Sequence, residues 1–205
     1  PIQYVAYDTK KRVLVIGAIH GDELSSASVA LHWIRLAQDP LIQMPQPVHW
    51  RFIPALNPDG LLNRPPRRVN ANGVDLNRNF HDFSRPLPVN AAYRELHPLL
   101  LPPEWPPTPD NVAAINAYIT ERGQPAYQAA ISGGQHEFPD GLFFGGTAPT
   151  WSNQTLRGVL RHHGGAARRI AWIDLHTGLG PNGHGERIYA GRDDPTAVQR
   201  ARAWW

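Results

Sequence analysis

His20 and Glu23 stand three residues apart as H-x-x-E, at the end of Arg12 to Glu23, RVLVIGAIHGDE. His176 closes a second apolar stretch, IAWIDL, from Ile170 to Leu175. Two imidazoles and one carboxylate are a familiar ligand set for catalytic zinc, with a fourth position left for water. Zinc held in this way lowers the pKa of that water and polarises a carbonyl. Each piece also has a bland reading. Asp22 and Glu23 favour a helix N-terminus, and His176 alone reads as a hydrogen-bonded histidine at a strand end. The chain has no cysteine. Disulfides, thiolate ligands and cysteine nucleophiles are therefore excluded, and any metal must sit on His, Asp or Glu.

A third feature is Gly73 to Phe80, GVDLNRNF, preceded by Arg67-Arg68. An arginine fork matches a carboxylate in two hydrogen bonds, and a neighbouring asparagine amide can assist. The bland alternative is that Asn and Asp here cap loop backbone.

The elements that must position these residues follow from pattern. Val13 to Ile16 is a short continuous apolar run, the form of a strand buried on both faces. Gly17 loosens its end, and Gly21 allows a sharp turn. Leu24 to Gln38 reads as a helix with one apolar stripe, ended by Pro40, Pro45 and Pro47. Ile2 to Tyr7 alternates loosely before a turn at Asp8-Thr9-Lys10. Val48 to Ala55 reads as a second strand, Asn57-Pro58-Asp59-Gly60 as a turn, and Asn70 to Asn79 as a structured loop. Prolines crowd from Pro86 to Pro109, where Leu99, Leu100, Leu101 and Trp105 call for burial, so this segment reads as an insertion packed on the surface. Thr108-Pro109-Asp110 opens a helix to Arg122, closed by Gly123. Ala126 to Ser132 is ambiguous, and Gly133 to Gly146 reads as a loop or hairpin. Thr150 or Ser152 caps a helix to His162, stopped by Gly164-Gly165. Ile170 to Leu175 reads as a buried strand, Glu186 to Ala190 as a short strand, and Asp194-Pro195 opens a last helix to Trp205. Strands alternating with helices point to an α/β sheet covered on both faces. In such a sheet, ligands bind outside the carboxyl ends of the strands, where both His20 and His176 fall.

Composition narrows the class. At 205 residues the chain suits one domain with a real core. Lys+Arg 20 against Asp+Glu 17 gives only +3. The basic clusters at Arg64, Arg67 and Arg68 and at Arg168-Arg169 lack the pattern of a nucleic-acid module. No apolar run approaches transmembrane length and no signal peptide opens the chain, so a soluble cytoplasmic protein is the default expectation. No methionine precedes Pro1 and the chain stops at Trp204-Trp205, so both ends read as cuts. Trp105, Trp151, Trp204 and Trp205 read as buried under loops.

HGDE, NPDG, GVDLNRNF and IDLHTG, in this order, resemble the carboxypeptidase A-like zinc metallocarboxypeptidases. NPDGLLNR and NANGVDLNRNF are similar to the bacterial branch that includes murein peptide amidases. PTWSNQTLR and AWIDLHTGLGPNGHGE look still more like a related, largely uncharacterised bacterial family of the same fold. The resemblance implies a mixed, largely parallel twisted sheet with helices on both faces. It implies a single catalytic domain over 1–205, incomplete on its C-terminal side, with the proline-rich insertion at about 84–109.

It also implies roles. His20, Glu23 and His176 match the zinc ligands, and Asp75 the carboxylate that orients the first histidine. Arg68 matches the arginine that stabilises the oxyanion, with Arg67 as the alternative. Asn77 and Arg78 match the pair that binds a terminal carboxylate, and Thr177 a small residue lining the pocket. The implied activity is hydrolysis of a peptide or N-acyl amide bond next to a free carboxylate. The partner is then a peptide or acylated amino acid, with no nucleic acid and no membrane. One departure matters: the family's general base is a glutamate on a late strand, and the stretch after His176 offers only Glu186, in an element that should lead away from the site. That base is expected beyond Trp205. Tyr189 is a poor match for the family's substrate-covering tyrosine. The competing expectation is a non-catalytic module of the same fold that binds peptides or partners.

Overall fold

A computed structural model describes residues 10–44, 48–178, 180–191 and 193–204. The apolar run after Lys10 forms β1 (Lys11–Ile16), followed by α1 (Leu24–Gln38) and β2 (His49–Ile53). After a long polar region and five further helices, β3 (Arg169–Asp174) returns to the sheet. The order is β2-β1-β3, and both pairings are parallel. Among the described residues this is in keeping with the largely parallel sheet expected. β1 is central, and Val15 and Ile16 are fully buried, as a strand covered on both faces requires.

Two helices cover the two faces. Leu14 and Ile16 join Ile19, Leu56, Leu76 and Leu156 in the main core, with Val159 and Leu160 packed against it. These last residues bring in α6 (Trp151–Gly164). The opposite face carries Trp50 and Phe52, which lie level with Val13 and Val15, and Trp33 of α1 sets its ring 5.2 Å and 5.8 Å from theirs. The expected α/β sheet with helices on both faces is therefore present. β3 departs from expectation. Ile170 and Trp172 are 44% and 46% exposed, whereas β2, the other edge strand of the described sheet, is half-buried throughout.

The connections at the carboxyl ends are tied to one another. Gly17 donates to Ile53 O, and Leu56 and Asn57 donate to the carbonyls of Gly17 and Ala18. The HGDE loop thereby stays in step with the segment after β2. Asn57-Pro58-Asp59-Gly60 forms the start of a short helix, α2 (Pro58–Leu62), instead of an isolated turn. The same residues serve both: proline presets φ for a first helical position, and the Asn57 side chain accepts from Gly60 N at 3.0 Å. Gly21 serves close packing more than turn freedom, since a Cβ there would run into the backbone of Gly60 and Leu61.

The middle of the chain builds a helical layer. α3 (Ala91–Leu100), α4 (Pro109–Arg122) and α5 (Gln124–Ser132) share a second core of Leu96, Tyr118 and Ala130. Leu99 and Leu100 pack against it, but Leu101 is 39% exposed and Trp105 is 83% exposed. Both fall after the last turn of α3, beyond the reach of the apolar stripe that α3 presents to α4 and α5. Trp151 is likewise exposed at the first turn of α6. Thr150, not Ser152, caps α6, accepting from Asn153 N. Ser152 instead donates to Leu56 O. Glu186 to Ala190 forms no strand, and α7 (Pro195–Trp204) begins where Asp194-Pro195 indicated. The alternation from Ile2 to Tyr7, the residues Asp8 and Thr9, the prolines at 45 and 47, and Trp205 lie outside the described residues, as does the side chain of Trp204.

Asn79 holds the loop of the third motif to α6. Its fully buried amide donates to Gly145 O and Ala148 O and accepts from Thr150 N and Oγ1, while Asn153 Nδ2 donates to Asn79 O. Removing the amide leaves buried backbone groups without partners. Asn79→Ala is therefore expected to cost about 2–4 kcal/mol, read as a lower urea midpoint with an unchanged m-value. A midpoint equal to that of the parent chain would contradict this account of the loop.

Candidate metal centre

The parallel register sets the site. Ile16 of β1 lies level with Asp174 of β3, and Leu175 N donates to Ile16 O. The chain then carries His20 and His176 past the same sheet edge, where their ring centroids are 5.1 Å apart. Glu23 sits between them. His20 Nδ1 and Glu23 Oε1 are 2.8 Å apart, and His176 Nδ1 lies 3.3 Å from Glu23 Oε2. Thr177 N donates to the same Oε2 at 3.0 Å. Glu23 occupies the residue before α1, yet its side chain caps nothing there. The carboxylate is turned to the imidazoles, against the bland reading of a helix-start acid.

One donor atom each from His20, Glu23 and His176 lie within 4.8 Å of one another. An ion with bonds of about 2.0–2.2 Å can close that spacing with small side-chain adjustments. The donor chemistry, two imidazole nitrogens and a carboxylate, suits zinc. Exposure rises across the site: the His20 side chain is 4% exposed, Glu23 11% and His176 33%. The centre is anchored on the β1 side and open on the β3 side.

A carboxylate stands behind each ring. His20 Nε2 lies 3.4 Å from Asp75 Oδ1 without completing a hydrogen bond, so that buried nitrogen needs only a small shift to gain a partner. Asp75 is fully buried, and its Oδ2 accepts from Arg68 Nε at 2.9 Å while Oδ1 accepts from Asn77 N. His176 Nε2 is 3.2 Å from Asp174 Oδ2. Asp174 is a residue the sequence reading passed over. The D-x-H spacing at a strand end could have found it, because alternation puts 174 and 176 on one side.

These contacts set the charges. Asp174, then Glu23, hold the His176 pKa up at about 10, against the opposing effect of burial. Burial works against a charged His20, but Asp75 and Glu23 outweigh it and raise its pKa. Burial also disfavours the Glu23 anion, yet bonds from His176, His20 and Thr177 N hold it down at about 2. Asp75 is lowered despite its burial by His20 and Arg68.

The other expected residues are placed as follows. Arg68 reaches the site through Asp75 and stacks over the Phe143 ring at 4.9 Å. Arg67 turns away, donating to Asn70 O. Arg78 lies over the same Phe143 ring at 5.5 Å. Its guanidinium also donates to Ser132 O from Nε and Nη2 and to Asn77 O from Nη1. A carboxylate would therefore meet only its remaining N–H groups. Asn77 is exposed. Thr177 contributes its backbone N–H to Glu23. Glu186 is exposed in irregular chain, and Tyr189 is exposed as well. Two non-glycine residues near these groups have positive φ: Ala18 at 48°, two residues before His20, and Phe143 at 53°, whose ring lies under both arginines. Such strain, typically about 1–3 kcal/mol, persists where surrounding contacts over-determine the backbone.

A family model described as "Protein of unknown function (DUF2817)" matches residues 4–205. The chain belongs to this DUF2817 family. Part of it is also similar to two carboxypeptidases. Carboxypeptidase SOL1 of Arabidopsis thaliana is 47% identical over 73 residues, 33% of this chain and 14% of that protein. The carboxypeptidase N catalytic chain of Homo sapiens is 32% identical over 111 residues, 45% of this chain and 24% of that protein. The matches thus span well under a third of either relative's length. They support a carboxypeptidase-like relationship at the coarse level of the family. No solved structure gives a significant match. No helix among the described residues is long and apolar enough to cross a membrane.

Raised imidazole pKa values mean that metal must displace protons to reach the nitrogens. Zinc affinity should therefore fall as pH is lowered, and binding at pH 7 should release protons. Titration calorimetry in buffers of different ionisation enthalpy reads that release directly. Zinc binding with no proton release would contradict the assignment of His20 and His176 as donors.

Proposed function

We propose that this chain carries the zinc centre of a peptidase-like hydrolase, acting on a peptide or N-acyl amide bond next to a free carboxylate. The observation that carries the reading is the convergence of His20 Nδ1, His176 Nδ1 and the Glu23 carboxylate outside the carboxyl ends of β1 and β3. His20, Glu23 and His176 would hold the ion. When bound, it would supply a Lewis acid that polarises an amide carbonyl and acidifies water.

The chain's own residues do the rest. Asp75 holds the buried His20 ring from behind and fixes the Arg68 fork through Nε. The other Arg68 N–H groups are then the donors for negative charge developing on the carbonyl oxygen. Arg78, steadied by Ser132 O and the Phe143 ring, offers its remaining N–H groups to a substrate carboxylate, with Asn77 beside it in the chain. A fixed cation beside the scissile bond selects exo-acting cleavage. The similarity of part of the chain to two carboxypeptidases supports the same reaction class.

A second reading, a peptide-binding module on the same fold, is favoured by one observation. Among the described residues, the carboxylates in contact with the two histidines are Glu23, Asp75 and Asp174, and each is engaged with a ring or an arginine. None of them is a spare general base, which must lie within reach of the attacking water.

A panel of peptides and N-acylated amino acids, with and without chelator, separates the two. Chelator-sensitive hydrolysis supports the enzyme, and binding without turnover supports the module. On the enzyme reading, His20→Ala abolishes zinc stoichiometry and activity together. Arg78→Ala retains the metal and raises KM by about tenfold or more, the loss of a charge-assisted bond of about 1.5–3 kcal/mol. An Arg78→Ala chain with unchanged KM contradicts the assigned role.

A further inference from the structure

From the geometry we infer that Asp174 is the positioning residue for His176, holding its Nε2 so that Nδ1 is turned to Glu23, the side on which a metal would bind. The inference rests on the metal-centre reading above and goes one residue beyond it. Three observations carry it. First, the two histidines are set in the same way: each Nδ1 faces a different oxygen of Glu23, and each Nε2 faces an aspartate, Asp75 at 3.4 Å and Asp174 at 3.2 Å. Second, Asp174 is the last residue of β3 and lies level with Ile16, so the sheet fixes its backbone. Two residues on, just past the end of β3, the His176 ring comes back to within 3.2 Å of the Asp174 carboxylate. Third, His176 needs such support more than His20 does. The His20 ring is enclosed by the core, whereas the His176 side chain is 33% exposed. A ring at an open edge keeps its orientation only through directional contacts, here Glu23 on one nitrogen and Asp174 on the other.

The chemistry follows. An imidazole can donate electron density to a metal only through a nitrogen that carries no proton. With Nε2 3.2 Å from the Asp174 carboxylate, the remaining proton is favoured on Nε2, and Nδ1 is the nitrogen that deprotonates and donates. Carboxylate support of this kind typically accounts for about 10–100-fold in metal affinity.

The test compares zinc affinity, by competition with a chelating dye, for the parent chain and Asp174→Asn, His176→Ala and Asp22→Asn. Asp22 is exposed in the same loop as His20 and controls for loss of one nearby negative charge. Asp174→Asn is expected to weaken zinc about 10–100-fold, while Asp22→Asn stays close to the parent. Imidazole nitrogen–proton correlation spectra of the zinc-loaded parent chain provide a readout independent of any variant's folding. They should show the His176 proton on Nε2, slowed in exchange. A proton on Nδ1 overturns the inference. Asp174→Asn with parent affinity, beside a His176→Ala chain that has lost zinc, overturns the role of Asp174 alone. A His176→Ala chain that still binds zinc as the parent does overturns the metal-centre reading itself.

Discussion

The structure turns on one shared carboxylate. Glu23 puts one oxygen on each of two histidines that are far apart in sequence and neighbours only because β1 and β3 run parallel and in step. Parallel strands deliver their carboxyl ends to one edge, and there the chain leaves the sheet with unpaired backbone and room for polar side chains. A tightly packed apolar strand such as β1 supplies the rigidity. With Val15 and Ile16 fully buried, the loop that follows inherits a fixed origin. Its own bonds to the carbonyl and amide groups after β2 fix its direction.

Around that carboxylate the polar network extends in two directions. Behind His20, Asp75 links the ring to Arg68, so the cation and the imidazole are positioned by one buried group. From Asp75 the short turn at Leu76–Arg78 leads to Arg78 and Asn79, which bind the helical layer and α6 respectively. The helical layer of α3, α4 and α5 has its own core and reaches the site through Ser132, whose carbonyl takes two N–H groups of Arg78. The helical layer is therefore connected to the site by a specific contact through α5, even though Trp105, in the stretch before α4, lies open to solvent.

Much of this was legible from residues 10 onward because local and long-range signals agreed. The run at Val13 to Ile16, the stripe from Leu24 to Gln38 and the Thr108-Pro109 start each combined a pattern with a boundary residue, and each formed where it was read. The meeting of His20, Glu23 and His176 was legible because H-x-x-E and a strand-end histidine mark the ends of two strands that run in step. What could not be read depended on tertiary neighbours. NPDG suits a turn and a helix start equally, and packing of Gly60 against Gly21 goes with the helix. The apolar residues of IAWIDL do not reveal whether both sides of the strand will be covered, so its exposure went unseen. Arg68 and Arg67 are alternatives in sequence, and only their contacts differ in three dimensions: Arg68 bonds Asp75 and Arg67 bonds Asn70 O. Phe143, under both arginines, carries no motif at all, and its place is visible only in three dimensions.

Anomalous diffraction at the zinc edge, from crystals of the zinc-loaded chain, tests the central claim most directly. The account predicts one peak bonded to His20, Glu23 and His176 at about 2.0–2.2 Å, with Nδ1 as the donor of both rings. A peak on other residues, or three side chains that keep their mutual contacts with no metal between them, would contradict it.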